Sequence, residues 1–369
     1  MPSVPLERAG TAGPPKAGGP ASAAARDGPP SAPTALTTAA EISEIAFAFM
    51  GSKALFAALH LDLFTHLDDG PLAVDAIARR AGIDGDRALT LLTALAALGL
   101  VIGAPEGYRN APAAAQFLSR NGRHDFGDYL RFQIDRQMYP FMGQLGAALA
   151  GRLPPGSVDC YETWMADPDE ARLYGRAQHM GSLGPARTLA RLADLSGAAT
   201  LLDLGGGTGA FAIELCRRNP DLSVLIVDFP NVAELGRAFV AEAGLSDRIA
   251  YREGNALTVE WPSGCDAVLM SYFLSSIAGD AADGVVAAAF AALVPGGRLL
   301  VHDFMVSPDR TGPKLAALWQ LQHTAFNPAV RSVSTDDAMR MLEAAGFADR
   351  RARPLIPDMT TLVSGQKPL

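Results

Sequence analysis

Residues 201–211 read LLDLGGGTGAF: an apolar strand, then Gly205, Gly206, Gly207 and Gly209, then the start of an apolar helix. Glycine at such a turn allows a tight bend and lets a ligand approach the backbone closely. Taken alone, a glycine-rich turn also fits a dinucleotide enzyme. The spacing here is GxGxG (Gly205, Gly207, Gly209), not the GxGxxG that cradles a pyrophosphate. The next apolar run, VLIVDFP, ends on Asp228, where a carboxylate can accept hydrogen bonds from both ribose hydroxyls. The two features together read as a site for S-adenosyl-L-methionine.

Outward from this loop, strands and helices alternate. Strands are expected at 200–204, 224–227, 249–253, 267–270 and 298–303, with helices 211–218, 232–243 and 284–293 between them. Two further strands are expected at 349–354 and 360–367. The alternation predicts an α/β domain over 196–369, a mostly parallel sheet with helices on both faces. Such sheets bind ligands at the carboxyl ends of their strands. Asn255, after the third strand, is expected beside the adenine, and Ser271 and Tyr272, after the fourth, beside the same cleft.

The preceding half differs. Residues 1–40 are rich in Pro, Ala, Gly and Ser and predict a disordered tail. From Glu41, residues Ile42, Ile45, Phe47, Met50, Phe56 and Leu59 predict helices apolar over much of their surface, buried in a core or a subunit interface. Helices at 74–81 and 88–98, joined by 82–86, are followed by short strands at 100–103 and 107–110, so 41–118 predicts a winged helix. The second helix carries Arg87 and no other cation, which favours a dimerising unit over a DNA reader. Residues 119–195 are helical and rich in aromatics and Met, and are read as a pocket wall.

The formal charge of -8 argues against nucleic acid or an anionic membrane as partner. Cys160, Cys216 and Cys265 are far apart with no CxxC spacing, so neither a disulfide framework nor a metal site is expected. No stretch reads as a transmembrane helix, and the N-terminus lacks a signal peptide's apolar centre, so a cytoplasmic protein is expected.

The segments LLDLGGGTGAF, VLIVDFPNV, DRIAYREGNAL, ALVPGGRLLVHDFMV and FNPAVRSVSTDDAMRMLEAAGF, behind a winged helix, together resemble the small-molecule O-methyltransferase family of plant caffeate and bacterial antibiotic-tailoring enzymes. The resemblance implies a homodimer and a Rossmann-like class I methyltransferase domain with a seven-stranded sheet. It also implies cofactor contacts at Asp203, Gly205, Gly207, Asp228, Asn255 and Ser271, although the family's usual GD is here Gly254-Asn255. The family's catalytic histidine, in a pattern resembling LHDW, is replaced by Ser275 in LMSYFLSSI. A serine of ordinary pKa cannot act as a base near neutral pH.

Asp303 matches the acidic residue that orients that histidine, and Asn327 an Asn near the substrate. The second flanking carboxylate is missing, with Arg331 and Ser332 in its vicinity. FLSSI resembles the corresponding segment of a bacteriochlorophyll-ring C-methyltransferase. Asp303 and His323 are the candidate catalytic residues, while His302 should face the opposite side of its strand. Tyr139, Met142, Met180, Tyr272 and Asn327 are the candidate acceptor contacts. The expected reaction is methylation of a hydrophobic aromatic small molecule of secondary metabolism, on oxygen by the resemblance. Methylation on carbon and a cofactor-binding protein without activity are the alternatives to it.

Overall fold

The first helix, Ala39–His60, starts on a capping box: the Thr38 hydroxyl accepts from Glu41 N–H while the Glu41 carboxylate accepts from Thr38 N–H. This computed structural model describes residues 35–369, so most of the expected tail lies outside the described residues, and positions 39 and 40 already belong to the helix. Only Phe56, Ala58 and Leu59 of this helix are buried, whereas Ile42, Ile45, Phe47, Phe49 and Met50 are exposed. Among the described residues it is the one helix long and apolar enough to cross a membrane, contrary to the sequence expectation. The pattern is apolar on all sides, which periodicity alone does not distinguish from a span.

Helices Val74–Ala81 and Gly85–Ala97 follow, the second capped by Asp84, whose carboxylate accepts from the N–H groups of Asp86 and Arg87. Strands β1 (Val101–Ala104) and β2 (Gly107–Asn110) pair antiparallel as the wing. Leu59, Phe64, Ile77, Leu92 and Leu95 form the core of this unit.

Two helical segments then connect to the sheet. Tyr129–Met138 is π-helical, and Pro168–Leu192 is a 25-residue α-helix capped by Asp167. They touch at Gly181, where a Cβ would lie 2.5 Å from the Tyr129 ring.

The sheet contains β3 (Thr200–Leu204), β4 (Ser223–Asp228), β5 (Ile249–Glu253), β6 (Cys265–Ser271), β7 (Leu293–Asp303), β8 (Ala348–Ile356) and β9 (Thr360–Gln366). Its order is β5-β4-β3-β6-β7-β9-β8, with β3 to β7 parallel and β9 antiparallel to both of its neighbours, so that β8 runs in the direction of β3 to β7. The chain runs outward from β3 in one direction and from β6 in the other. A topological switch point therefore lies between the ends of β3 and β6, where open parallel sheets bind ligands. Strand β7 begins five positions before the expected 298, because a register shift between Cys265 and Ala267 lets Leu293 pair first.

Gly181→Ala should destabilise the protein by about 1–3 kcal/mol, because the methyl has to displace the Tyr129 ring. Chemical denaturation of the variant against the parent protein checks this, and an unchanged midpoint contradicts it.

Candidate active site

Strand β3 delivers the chain into the glycine loop at Gly205, which has φ +64°, as glycine tolerates without strain. A Cβ on Gly206 would sit 2.6 Å from the Asp203 carboxyl, so the loop lies directly on that group. Asp203 is fully buried, and neither of its side-chain oxygens has a partner among the described residues. Burial, and secondarily the charge of Asp228, pushes its pKa up to about 8. Asp203 is thus neutral near pH 7. It is not exposed to the cavity but supports the loop from beneath, so the expected direct cofactor contact gives way to a supporting position.

Asp228, at the end of β4, accepts from Gly207 N–H and from Phe229 N–H, each at 2.7 Å. Burial raises its pKa to about 6, with those two bonds opposing the rise. Of the two buried carboxyls it is the one that holds the charge at neutral pH, and it faces the cavity.

That cavity has a volume of about 1180 Å³ and opens at the carboxyl ends of β3, β4 and β6. A pocket for one small ligand is about 300–1,000 Å³, so there is room here for two. Gly205, Gly207, Asp228, Asn255 and Ser271 line one end. The Asn255 side chain is already engaged: its Nδ2 donates to Glu162 Oε2 at 2.9 Å and its Oδ1 accepts from Leu257 N–H at 2.9 Å. Sequence reasoning missed Glu162. It comes from the short helix Tyr161–Met165, lines the cavity and sets a carboxylate against the Asn255 amide. No local spacing signals it, because the contact spans 93 positions.

Ser271 Oγ lies 2.9 Å from His302 Nδ1. His302 is fully buried, and burial lowers its pKa to about 3, so it is a neutral packed residue against Phe211 and Tyr272.

The other end of the cavity is aromatic. Tyr272, in the left-handed region at φ +58°, stacks on Phe304 at 5.0 Å, and Phe304 stacks on Trp319 at 4.5 Å. Tyr161 closes edge-on against Phe326 at 5.0 Å. Tyr129, Tyr161, Tyr174 and Tyr272 all line the space, and burial raises each of their pKa values, that of Tyr161 to about 12. Their hydroxyls are hydrogen-bond groups and not bases.

His323 sits among these rings on helix Lys314–Phe326, lining the cavity. Its Nδ1 is 2.8 Å from the Ser275 carbonyl oxygen. A carbonyl only accepts, so Nδ1 carries the hydrogen and Nε2 keeps its lone pair. Burial lowers the pKa to about 4 against the opposing effect of that bond, which keeps the ring neutral at pH 7.

Ser275, at the position of the family's histidine, is turned away from the cavity. Its Oγ donates to Asp303 Oδ1 at 2.5 Å and its N–H donates to Asp303 Oδ2 at 2.9 Å. Phe304 N–H also donates to Oδ1, at 2.8 Å. Asp303 is buried and spent on this turn, and burial raises its pKa against the pull of those donors. The expectation of a catalytic Asp303 in contact with substrate is therefore corrected: it does not line the cavity and is bonded instead to Ser275 and to Phe304 N–H.

Asn327 donates to the Ser276 carbonyl at 3.0 Å and lines the cavity, as does Met180. Tyr139 and Met142 do not. Tyr139 packs edge-on against Phe56 and beneath Lys53, and Met142 is exposed. The i→i+5 winding of Tyr129–Met138 turns the following residues off the face that a 3.6-residue period predicts.

Two family models match the chain: the O-methyltransferase domain over residues 150–348 and the O-methyltransferase dimerisation domain over 43–120. The chain is 32% identical over 331 residues to the tetracenomycin polyketide synthesis 8-O-methyl transferase TcmO of Streptomyces glaucescens, covering 89% of this chain and 96% of the relative. It is 29% identical over 305 residues to the L-tyrosine C(3)-methyltransferase of Streptomyces lavendulae, covering 79% and 81% respectively. The fold superposes on human N-acetylserotonin methyltransferase in complex with SAM with a TM-score of 0.79 at 22% identity, covering 91% of this chain and all of that one.

The cofactor end fits S-adenosylmethionine: the glycine loop is free of side chains above the neutral Asp203, and the charged Asp228 faces the space as a hydroxyl acceptor. Asp228 is charged above about pH 6 and neutral below it. Affinity for S-adenosylhomocysteine should therefore fall as pH drops through 6, and Asp228→Ala should lose at least tenfold at pH 7.5. Calorimetric titration across pH 5–8 checks both, and a flat profile in the parent protein contradicts the assignment. The matches across both domains and the fit of this end agree: the chain belongs to the S-adenosylmethionine-dependent O-methyltransferase family of secondary metabolism.

Proposed function

We propose that this enzyme methylates a hydroxyl of a flat aromatic small molecule, with His323 as the general base. The observation that carries the reading is the lone pair of His323 Nε2, fixed by the Nδ1 bond to Ser275 and set in an aromatic-walled cavity. When bound, S-adenosylmethionine supplies an electrophilic methyl group. The stacked row Tyr272, Phe304 and Trp319 offers a flat wall for the acceptor ring. His323 Nε2 takes the hydroxyl proton as the oxygen–methyl bond forms, which splits the work between placement and proton removal. Asp303 positions the base at one remove, by holding the turn whose Ser275 carbonyl orients the imidazole.

His323→Ala should lower kcat on a phenolic acceptor by about 10²–10⁴-fold while leaving S-adenosylhomocysteine affinity unchanged. Ser275→Ala keeps the carbonyl and should cost less than about tenfold. With both substrates saturating, the acid limb of kcat should lie near the lowered His323 value of about 4 and not near 6.5. A parent-like kcat in His323→Ala sinks the assignment.

A second reading, transfer to ring carbon, is favoured by Ser275 standing at the family's histidine position and by the C(3)-methyltransferase among the relatives. An electron-rich carbon needs placement first and loses its proton afterwards. The site of the new methyl, read by NMR of the product, separates the two.

The homodimer belongs to the same proposal. The exposed residues Ile42, Ile45, Phe49 and Met50 lie within the first helix, and residues 43–120 match the dimerisation domain. An apolar face of this kind is covered in a stable soluble assembly. The double substitution Ile45→Glu/Phe49→Glu should convert a dimer to monomer in light scattering, and a parent protein that is itself monomeric refutes the interface.

A further inference from the structure

Thr208 is the one residue of the loop 205–209 that has a side chain, the other four being glycine. It lines the cavity, and helix Pro168–Leu192 grips it on two sides. Gly175 and His179, both buried, stand one turn apart on one face of that helix. A Cβ on Gly175 would lie 2.7 Å from Leu235 Cδ2 and 3.3 Å from Thr208 Cγ2, so only glycine lets the helix come this close to the loop. On the hydroxyl side, His179 Nδ1 lies 2.8 Å from Thr208 Oγ1.

The imidazole is itself fixed. Its ring stacks on Phe239 at 4.0 Å with an interplanar angle of 15°. Phe239 belongs to helix Pro230–Glu242, which begins two residues after Asp228. Burial, and secondarily the charge of Arg217, lowers the His179 pKa to about 4, so the ring is neutral at pH 7 and its bond to Thr208 buries no charge. His179 does not line the cavity, and nothing in the methyl transfer uses it directly.

A loop of this composition needs outside anchors, because glycine has the most backbone freedom to lose on being ordered. Gly207 has two: its N–H donates to Asp228 Oδ2 at 2.7 Å, and its carbonyl accepts from Tyr251 Oη at 3.1 Å. The Thr208 hydroxyl has no side-chain partner other than His179 among the described residues. We propose that His179 is a positioning residue for the methyl donor: through Thr208 it holds the glycine loop in the form that receives S-adenosylmethionine. A loop ordered before binding gives the ligand a higher affinity than one the ligand must order itself. Donor binding gains in this way whichever acceptor atom is methylated.

Calorimetric titration of S-adenosylhomocysteine into the full-length protein tests this with substitutions that remove one partner and keep its packing. His179→Phe keeps a ring on Phe239, and Thr208→Val keeps a methyl group towards Gly175. Each should weaken S-adenosylhomocysteine binding about three- to tenfold, the range that one hydrogen bond supplies. The double variant should bind no more weakly than the weaker single variant, since both act through the same bond. His179→Asn, whose carboxamide can take the place of Nδ1 but cannot stack on Phe239, should bind within about twofold of the parent. A merely structural histidine predicts the reverse order, because the Asn variant loses the stacked ring and the Phe variant retains it. Thermal melting of the same proteins reads that structural contribution separately. Parent-like affinity in either single variant overturns the proposal, as do losses that add in the double variant or an Asn variant as weak as the Phe variant. Should His179→Phe fail to fold, Thr208→Val and His179→Asn decide by the same criteria.

Discussion

The buried carboxyl of Asp303 imposes the constraint on which the reactive end of the molecule depends. A carboxylate withdrawn from water costs several kcal/mol unless donors replace the lost solvent. The Ser275 hydroxyl and N–H and the Phe304 N–H are those donors, and meeting them dictates the path of the chain after β6. The rest follows from that path. It points the Ser275 carbonyl at His323 and presents the Ser276 carbonyl to Asn327. It also leaves Tyr272 in the left-handed region with its ring on Phe304. Strained backbone of that kind persists only where surrounding bonds over-determine it.

At the cofactor end a comparable economy governs two acids. Asp203 and Asp228 lie close enough to affect each other's ionisation, in surroundings that penalise any charge. Asp228 has two backbone N–H donors and Asp203 has none, so the charge settles on Asp228. The strand that packs the loop and the strand that meets the ligand thus carry the same residue type in opposite protonation states.

Much of this was legible in the chain. Strand β3 runs over the residues its apolar pattern marks, since a strand buried on both faces and closed by glycine leaves little ambiguity. Strand β5, an edge strand with only Ile249 buried, is bounded by the Gly254 turn. The wing, the long helix alternation and the dimerising character of the first domain were equally readable. What was not legible depends on tertiary geometry. That Asp303 turns towards Ser275 follows from the turn and not from strand alternation. That Tyr139 and Met142 face away follows from a π-helical winding with no plain sequence signature. Glu162 reaches Asn255 only because a short helix 93 positions earlier packs against the loop that follows β5.

That last contact links parts of the site that are otherwise separate. The helix Tyr161–Met165 holds Asn255 through Glu162 and forms the acceptor wall through Tyr161. The helix is itself anchored by the buried side chains of Trp164 and Met165 and by Asn231, which donates to the Met165 carbonyl. A substitution that repacks this one small element is therefore felt in both chambers at once.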